Sequence, residues 1–428
     1  MKSSGLFVNK MYTPLYSKIL AYKNYSRFHM PGHSGKDFFE FKDNHLDISE
    51  ISGMDNLLAA DGVIKEAEEL IAKAYGYKHS LMLTQGSTSA MQIAAYTIKP
   101  LVKKVIAYRK MHSSFYNAMR LFNIDYFEVD NFEKLQDVIS FSKDKCAIFT
   151  TSPTYFGNIE NIDRINEIKK DNYLIVDAAH AAHFPFSSYL PKYPLGDIVF
   201  SSMHKTTPAK GGSAIINVND DYLYELLLLN RSIIHSTSPS YEIMASMDLA
   251  RAYMEENGES EYKKIKDVIV GLGESISSFR IEKSDDISRL TISKENLDAY
   301  DMLNQLHDMG IECEMAYENK LVFILTPFNY LDVKEIENAL KSVTPRYKKF
   351  EVIDNDERAI NDIANLKPFF VDLDEAEGCI ANAQISIYPP NQPIINFGEK
   401  ITREDINILK DNLGHVLGLV NNKVPVLK

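Results

Sequence analysis

Cysteine is scarce in this chain. Cys146, Cys313 and Cys379 are the only three in 428 residues. They are far apart, odd in number and form no CxxC pair, which excludes a disulfide framework and suggests a reducing compartment. Long apolar runs are missing too. The strongest, Leu226 to Leu229, is far too short to span a bilayer. Asn9, Lys10 and Lys18 interrupt the N-terminal stretch, so no signal peptide is expected there and a cytoplasmic location follows by elimination. Positive charge is in deficit, with 47 Lys and Arg against 59 Asp and Glu and a net charge of -12. Such a surface repels nucleic acid and anionic membranes, so neither is an expected partner. There is no internal repeat and no low-complexity segment. What is present, 45% hydrophobic and 25% charged residues, is the balance of a soluble globular protein, and the length calls for two or three domains.

Residues 1–60 read as an irregular N-terminal arm, with Pro14, the Pro31-Gly32 turn, Gly35 and Gly53, of the kind that wraps a partner subunit. A large domain is expected over 61–265. Asp61 can cap a helix in which Val63, Ile64, Ala67, Leu70, Ile71 and Ala74 recur at helical spacing, and Gly76 ends it. Strand-like runs then alternate with helical stretches: Leu81–Thr84, Val105–Tyr108, Ile148–Thr151, Leu174–Asp177, Ile198–Ser202 and Ala214–Val218. This alternation predicts an α/β domain with a mostly parallel sheet covered on both faces. A helix is expected from about Ser240 to Glu256. Residues 266–428 read as a smaller α+β region, with strands at Leu290–Ile292 and Leu321–Leu325, helices at Leu297–Asp308 and Asp332–Ser342, and an extended Tyr388-Pro389-Pro390 segment.

Parallel strands of an open sheet place their carboxyl ends at one edge, where ligands bind. Four candidates follow strand ends here. Gly86, Ser87 and Thr88 open a helix after the first strand and suit a phosphate, although an ordinary Ser/Thr cap looks the same. His112 after the second could stack over a ring. Asp177 ends a third strand, with His180 three residues on. Ser202, His204 and Lys205 follow a fourth, Lys205 lying 28 residues after Asp177. A lysine that bonds a cofactor, an acid that keeps a pyridine nitrogen protonated and a phosphate cradle are the groups that pyridoxal 5′-phosphate (PLP) requires. Singly each is weak. Together they point to a fold-type I PLP site, with Lys205, His204, Asp177 and His112 catalytic, and Ser202 and His180 adding contacts to the phosphate and to the ring's phenolic oxygen. The rival is a metal site built from His29 and His33, or from Asp177, His180 and His183. The Pro31-Gly32 turn and the lack of a glutamate beside the histidines argue against it, and no metal is expected.

The motifs resemble one family closely. Arg27-Phe-His-Met-Pro-Gly-His33-Ser-Gly35 looks like the HxPGHxxG segment of the Orn/Lys/Arg decarboxylase family. Thr84-Gln-Gly-Ser-Thr88 is similar to its phosphate loop, Asp177-Ala-Ala-His-Ala-Ala-His-Phe184 to DEAHGAHF, and Ser202-Met-His-Lys205 to its S-x-H-K lysine. Thr237-Ser-Pro-Ser-Tyr-Glu-Ile-Met-Ala-Ser-Met-Asp248 is close to TSPSYLLMASLD, and Tyr388-Pro-Pro with Phe397-Gly-Glu399 resembles the C-terminal YPPGIP…PGE. The resemblance runs from about residue 13 to 403 and fits the short form without a wing domain. It implies an aspartate-aminotransferase-like homodimer, possibly a higher oligomer, with active sites at the subunit interface near Ser236–Ser240. It also implies decarboxylation of arginine, lysine or ornithine, in polyamine metabolism. Glu314, which matches a family glutamate in "PEM", would take the distal nitrogen of the substrate, with His33 as a second substrate contact. Ala178, Cys379, Ala383, Asn391 and Phe397 depart from the pattern, and Lys210 adds a charge beside it. These departures leave two alternatives open: a different PLP reaction such as transamination or carbon–carbon lysis, and a PLP-binding regulator or partner subunit.

Overall fold

The computed structural model describes residues 11–23, 27, 31, 33–34, 36–37, 43–347, 367–387 and 392–427. His29 and Tyr388–Pro390 lie outside them. The N-terminal segment contains helix α1 (Pro14–Ala21), which packs against α2 (Val63–Tyr75) and the long helix α9 (Tyr241–Ser275) of the same chain. Leu15 and Ile19 are fully buried there. The expected irregular arm is therefore partly helical and rests on its own subunit.

Between α2 and α9 the chain runs β1 (His79–Leu83), α3 (Gly86–Ile98), β2 (Lys104–Tyr108), α4 (Ser113–Phe122), β3 (Tyr126–Val129), α5 (Phe132–Phe141), β4 (Cys146–Thr151), α6 (Ile162–Ile168), β5 (Tyr173–Asp177), β6 (Ile198–Ser202), α7 (Met203–Thr206), β7 (Ala214–Val218) and α8 (Asp221–Ile234). The seven strands form one sheet in the order β1-β7-β6-β5-β4-β2-β3. Only β7 runs against the rest. β5 and β6 are almost wholly buried along their length, as central strands covered on both faces must be. One apolar core fills one face of the sheet and continues to α1 and α9; a second lies under α3, α4 and α8. Arg231 of α8 is fully buried and pairs with Glu68 of α2 at 2.5 Å. The same carboxylate accepts the Met82 N–H of β1.

The boundary expected at 265/266 falls within α9, which runs unbroken to Ser275. Beyond it lie β8 (Arg280–Ile281), β9 (Arg289–Ser293), α10 (Ala299–Asp308), β10 (Met315–Tyr317), β11 (Lys320–Ile324) and α11 (Val333–Ser342), whose strands form a four-stranded sheet. β12 (Pro368–Val371), β13 (Ile380–Ala381), β14 (Ile385–Ile387), β15 (Gln392–Ile395), α12 (Arg403–Asp411), β16 (Val416–Leu417) and β17 (Val424–Leu427) enclose a third, small core.

One helix cap differs from the sequence expectation, and another serves the unexpected helix α1. α2 is capped by Asp55, whose carboxylate accepts the backbone N–H groups of Asp61, Gly62, Ile64 and Lys65 at 2.8–3.2 Å. Asp61 is one of those donors rather than the cap. α1 is capped from α9, because Asp248 accepts the N–H groups of Leu15 and Tyr16.

Candidate active site

Since β1, β2, β4, β5 and β6 are mutually parallel, their carboxyl ends bring five loops to one edge of the sheet. A surface cavity bounded by Asp163, Asn166, Gly196, Asp197 and Asp220 lies at the opposite edge, and holds none of the candidate groups.

After β1 the chain turns at Gly86, whose φ of +73° is a left-handed value that glycine adopts without strain. A Cβ at Gly86 would meet nothing within 4 Å, so open space lies over the turn. α3 starts there, with Ser87 and Thr88 in its first turn and their N–H groups without intrahelical acceptors. Ser202, at the end of β6, donates its hydroxyl proton to Ser87 Oγ at 2.8 Å. The two hydroxyls and the helix start thus form one cradle for an anion. After β2, His112 caps α4 by accepting the Ser114 N–H at its Nδ1, 3.1 Å away. The residue is exposed. The protein around it nevertheless pushes its pKa down, against the attraction of Asp177.

Asp177 is buried and accepts the Ala179 N–H at 3.0 Å. Burial pushes its carboxyl up, while His112 and Lys205 pull the other way. Lys205, half-buried on α7, lies with Nζ 3.1 Å from His180 Nε2. Burial lowers its pKa, opposed by Asp177 and Glu314 and reinforced by Arg289. His180 is held well below the ordinary histidine range by burial and by the charges of Lys205 and Arg289. His204 points elsewhere: its Nδ1 donates to the Ser213 carbonyl at 2.9 Å. Burial lowers its pKa as well, leaving it neutral near pH 7.

Two residues that the sequence reading missed complete the cluster. Arg289, at the start of β9, is 2% exposed and donates from Nη2 to His180 Nδ1 at 2.8 Å. Its Nε and Nη1 are buried with no partner among the described residues. Tyr155, in the loop after β4, sets its ring against His180, centroids 4.7 Å apart, and donates its hydroxyl to Glu314. Glu314 therefore reaches the Lys205 cluster through Tyr155. The strand-end rule that found Asp177 also covers Tyr155; Arg289 was hidden because it enters from a different sheet. His33 pairs with Asp47 in the N-terminal segment, at 3.3 Å. His180 and His183 diverge. His183 Nε2 lies 3.1 Å from Asp286 Oδ1 and 3.0 Å from Ser288 Oγ, in a fully buried knot. Among the described residues no group of three or more His, Cys, Asp or Glu side chains is placed to hold a metal ion.

The Orn/Lys/Arg decarboxylase major-domain model matches residues 13–127 and 122–291, about two thirds of the chain. The chain belongs to the Orn/Lys/Arg decarboxylase family. Among relatives of this family member, the uncharacterized protein YaaO of Bacillus subtilis is 28% identical, covering 93% of this chain and 94% of its own. An arginine decarboxylase of Bacillus subtilis is 27% identical, with 94% of each chain covered. In fold the decarboxylase-family chain is similar to the Francisella novicida lysine decarboxylase LdcF, with a TM-score of 0.77 at 19% identity over 98% of this chain and 81% of that one. It is also similar, with a TM-score of 0.57, to a Sphingomonas wittichii serine palmitoyltransferase over 69% of this chain. No helix among the described residues is long and apolar enough to cross a membrane.

Proposed function

We propose that this protein is a PLP-dependent decarboxylase of a basic amino acid. The observation that carries the reading is one constellation at one sheet edge: a half-buried lysine, a buried aspartate short of partners, and a hydroxyl-lined helix start. The fit to PLP rests on chemistry. Asp177 is a buried carboxylate with one N–H donor, that of Ala179, among the described residues, and a protonated ring nitrogen would give it a positive partner. Gly86, Ser87, Thr88 and Ser202 would hold the phosphate, His112 would cover the ring, His180 would lie toward its phenolic oxygen, and Lys205 would bond the cofactor. When bound, PLP would supply an electron sink for the pair left at Cα when the carboxylate leaves as CO2.

The protein's own groups do the rest. Asp177 would hold a proton on the ring nitrogen and so keep that electron demand high. Lys205, a free amine until the substrate's α-ammonium gives up its proton on binding, would take that proton and pass it to Cα to complete the amine product; His204 is the other candidate donor, and its bond to Ser213 favours Lys205. Glu314, steadied by Tyr155, offers a negative charge to the distal nitrogen of a basic substrate, with His33 as a second contact. The neutral His180, Tyr155 and the buried strand ends exclude water, which favours loss of a carboxylate whose hydration the product no longer has. Cys313, beside Glu314, is pushed up to about 12 by burial and stays a thiol.

We further propose that the protein works in the cytoplasm, in polyamine metabolism, as a homodimer or higher oligomer with Ser236–Ser240 near the interface. The exposed apolar side chains Tyr222, Leu229 and Ile233 along α8, just before that segment, support this reading. Borohydride reduction of the protein mixed with PLP, followed by peptide mass spectrometry, tests the site. Label on Lys205 is expected. Label spread over surface lysines with none on Lys205 would sink the reading.

A further inference from the structure

The hydrogen bonds around His180 run in one direction. Arginine has donors only, so the 2.8 Å contact from Arg289 Nη2 obliges His180 Nδ1 to accept. A neutral imidazole carries one N–H, which must then sit on Nε2. Nε2 faces Lys205 Nζ at 3.1 Å. A protonated lysine has three N–H groups and no lone pair, so it cannot accept from Nε2–H, whereas the free amine can. We propose that Arg289, acting through His180, is a positioning residue that holds Lys205 as the free amine, the form with the lone pair a carbonyl carbon needs. The geometry stands alone; the purpose rests on the PLP reading above.

Other groups face the amine. Asp177 on β5 and Glu314 before β10 favour its charged form, and burial and Arg289 on β9 oppose it. His112 and His204 are both held below the ordinary histidine range and add no positive charge near neutral pH. The Nε and Nη1 of Arg289 are buried with no partner among the described residues, and its charge helps to hold the Asp286 carboxyl down.

Reductive methylation with formaldehyde and cyanoborohydride, on the full-length cofactor-free chain and read by peptide mass spectrometry, reports the free-amine fraction of Lys205. Near neutral pH, Arg289→Lys keeps donor and charge, Arg289→Gln keeps a donor alone, and Arg289→Leu keeps neither. The expected result is that Lys205 in the Lys and Gln variants reacts close to the wild-type rate. In Arg289→Leu it reacts roughly tenfold slower, the equivalent of one pKa unit. Equal rates in all four proteins would overturn the proposal. So would Gln as slow as Leu, because charge alone would then be responsible. If Arg289→Leu does not fold, His180→Ala removes the same N–H with Arg289 in place and should slow Lys205 alike; a wild-type rate there is contrary. PLP trapping on Lys205, run in parallel, separates the two claims. Failure to trap with the rate order intact sinks the cofactor reading alone, and trapping with a flat rate order sinks the relay alone.

Discussion

Burial opposes the charge on Asp177 that the proposed chemistry uses. Asp177 has its pKa raised above the usual carboxylate value, because the ionised form loses water and gains one N–H bond, from Ala179, among the described residues. A carboxyl raised in the folded state contributes most at low pH and destabilises as pH climbs past its unfolded value. Cofactor-free Asp177→Asn should therefore unfold at a temperature equal to or above that of wild type at pH 7. The PLP-loaded variant should lose roughly 100–1,000-fold in kcat, the scale for removing one group that stabilises transition-state charge. Thermal melts and steady-state kinetics check the two halves. At Glu314, Glu314→Gln should raise KM for the basic substrate by roughly 10–100-fold, the 1.5–3 kcal/mol of a hydrogen bond to a charged group. Acidic and neutral amino acids should be unaffected, and an equal loss for all substrates would count against the role. Most of these residues were legible because each follows a strand end. Arg289 was not, since an arginine opening Arg289-Leu-Thr-Ile-Ser293 looks like a strand's solvated edge until that sheet is folded against the first.

Helices and strands were legible where pattern is local. The runs ending at Tyr108, Thr151, Asp177 and Ser202 became β2, β4, β5 and β6 at those residues. β3 was missed, since Tyr126–Val129 is half-exposed and too short to show a period. α1 was missed because its cap, Asp248, lies more than 230 residues away. Asp55 serves α2 from seven residues before its N-cap Gly62. Burial raises the Asp55 pKa, and the backbone N–H bonds outweigh it and bring it below the ordinary value. That contribution is present above the unfolded pKa and lost as pH falls through the folded one. Asp55→Ala should cost about 1–2 kcal/mol in urea unfolding, the upper part of the range for a lost cap. A departure from the family pattern also acquires a use: Phe397 receives the Arg120 guanidinium over its ring, 3.9 Å from the centroid. Arg120 also bonds the Asn382 carbonyl and side chain, tying α4 to the C-terminal region.

Across the whole molecule, the chemistry depends on how the β9 sheet is held against the β5 loop. The His183–Asp286–Ser288 knot, fully buried, spans that junction next to Arg289. Burial alone would raise the Asp286 carboxyl; His183, Arg289 and Ser288 outweigh it and bring it to about 2. Its contribution is present above the ordinary carboxylate value and is lost as pH falls through about 2. Asp286→Ala leaves buried partners unanswered and should cost roughly 3–5 kcal/mol, seen as a lower unfolding midpoint with PLP and without. The most direct test of the central claim is CO2 release by the purified protein with added PLP, measured across arginine, lysine, ornithine and several acidic and neutral amino acids. The account predicts release from a basic amino acid, absent in Lys205→Ala. No release from any of them, with PLP bound to Lys205, or turnover that persists in Lys205→Ala, would contradict it.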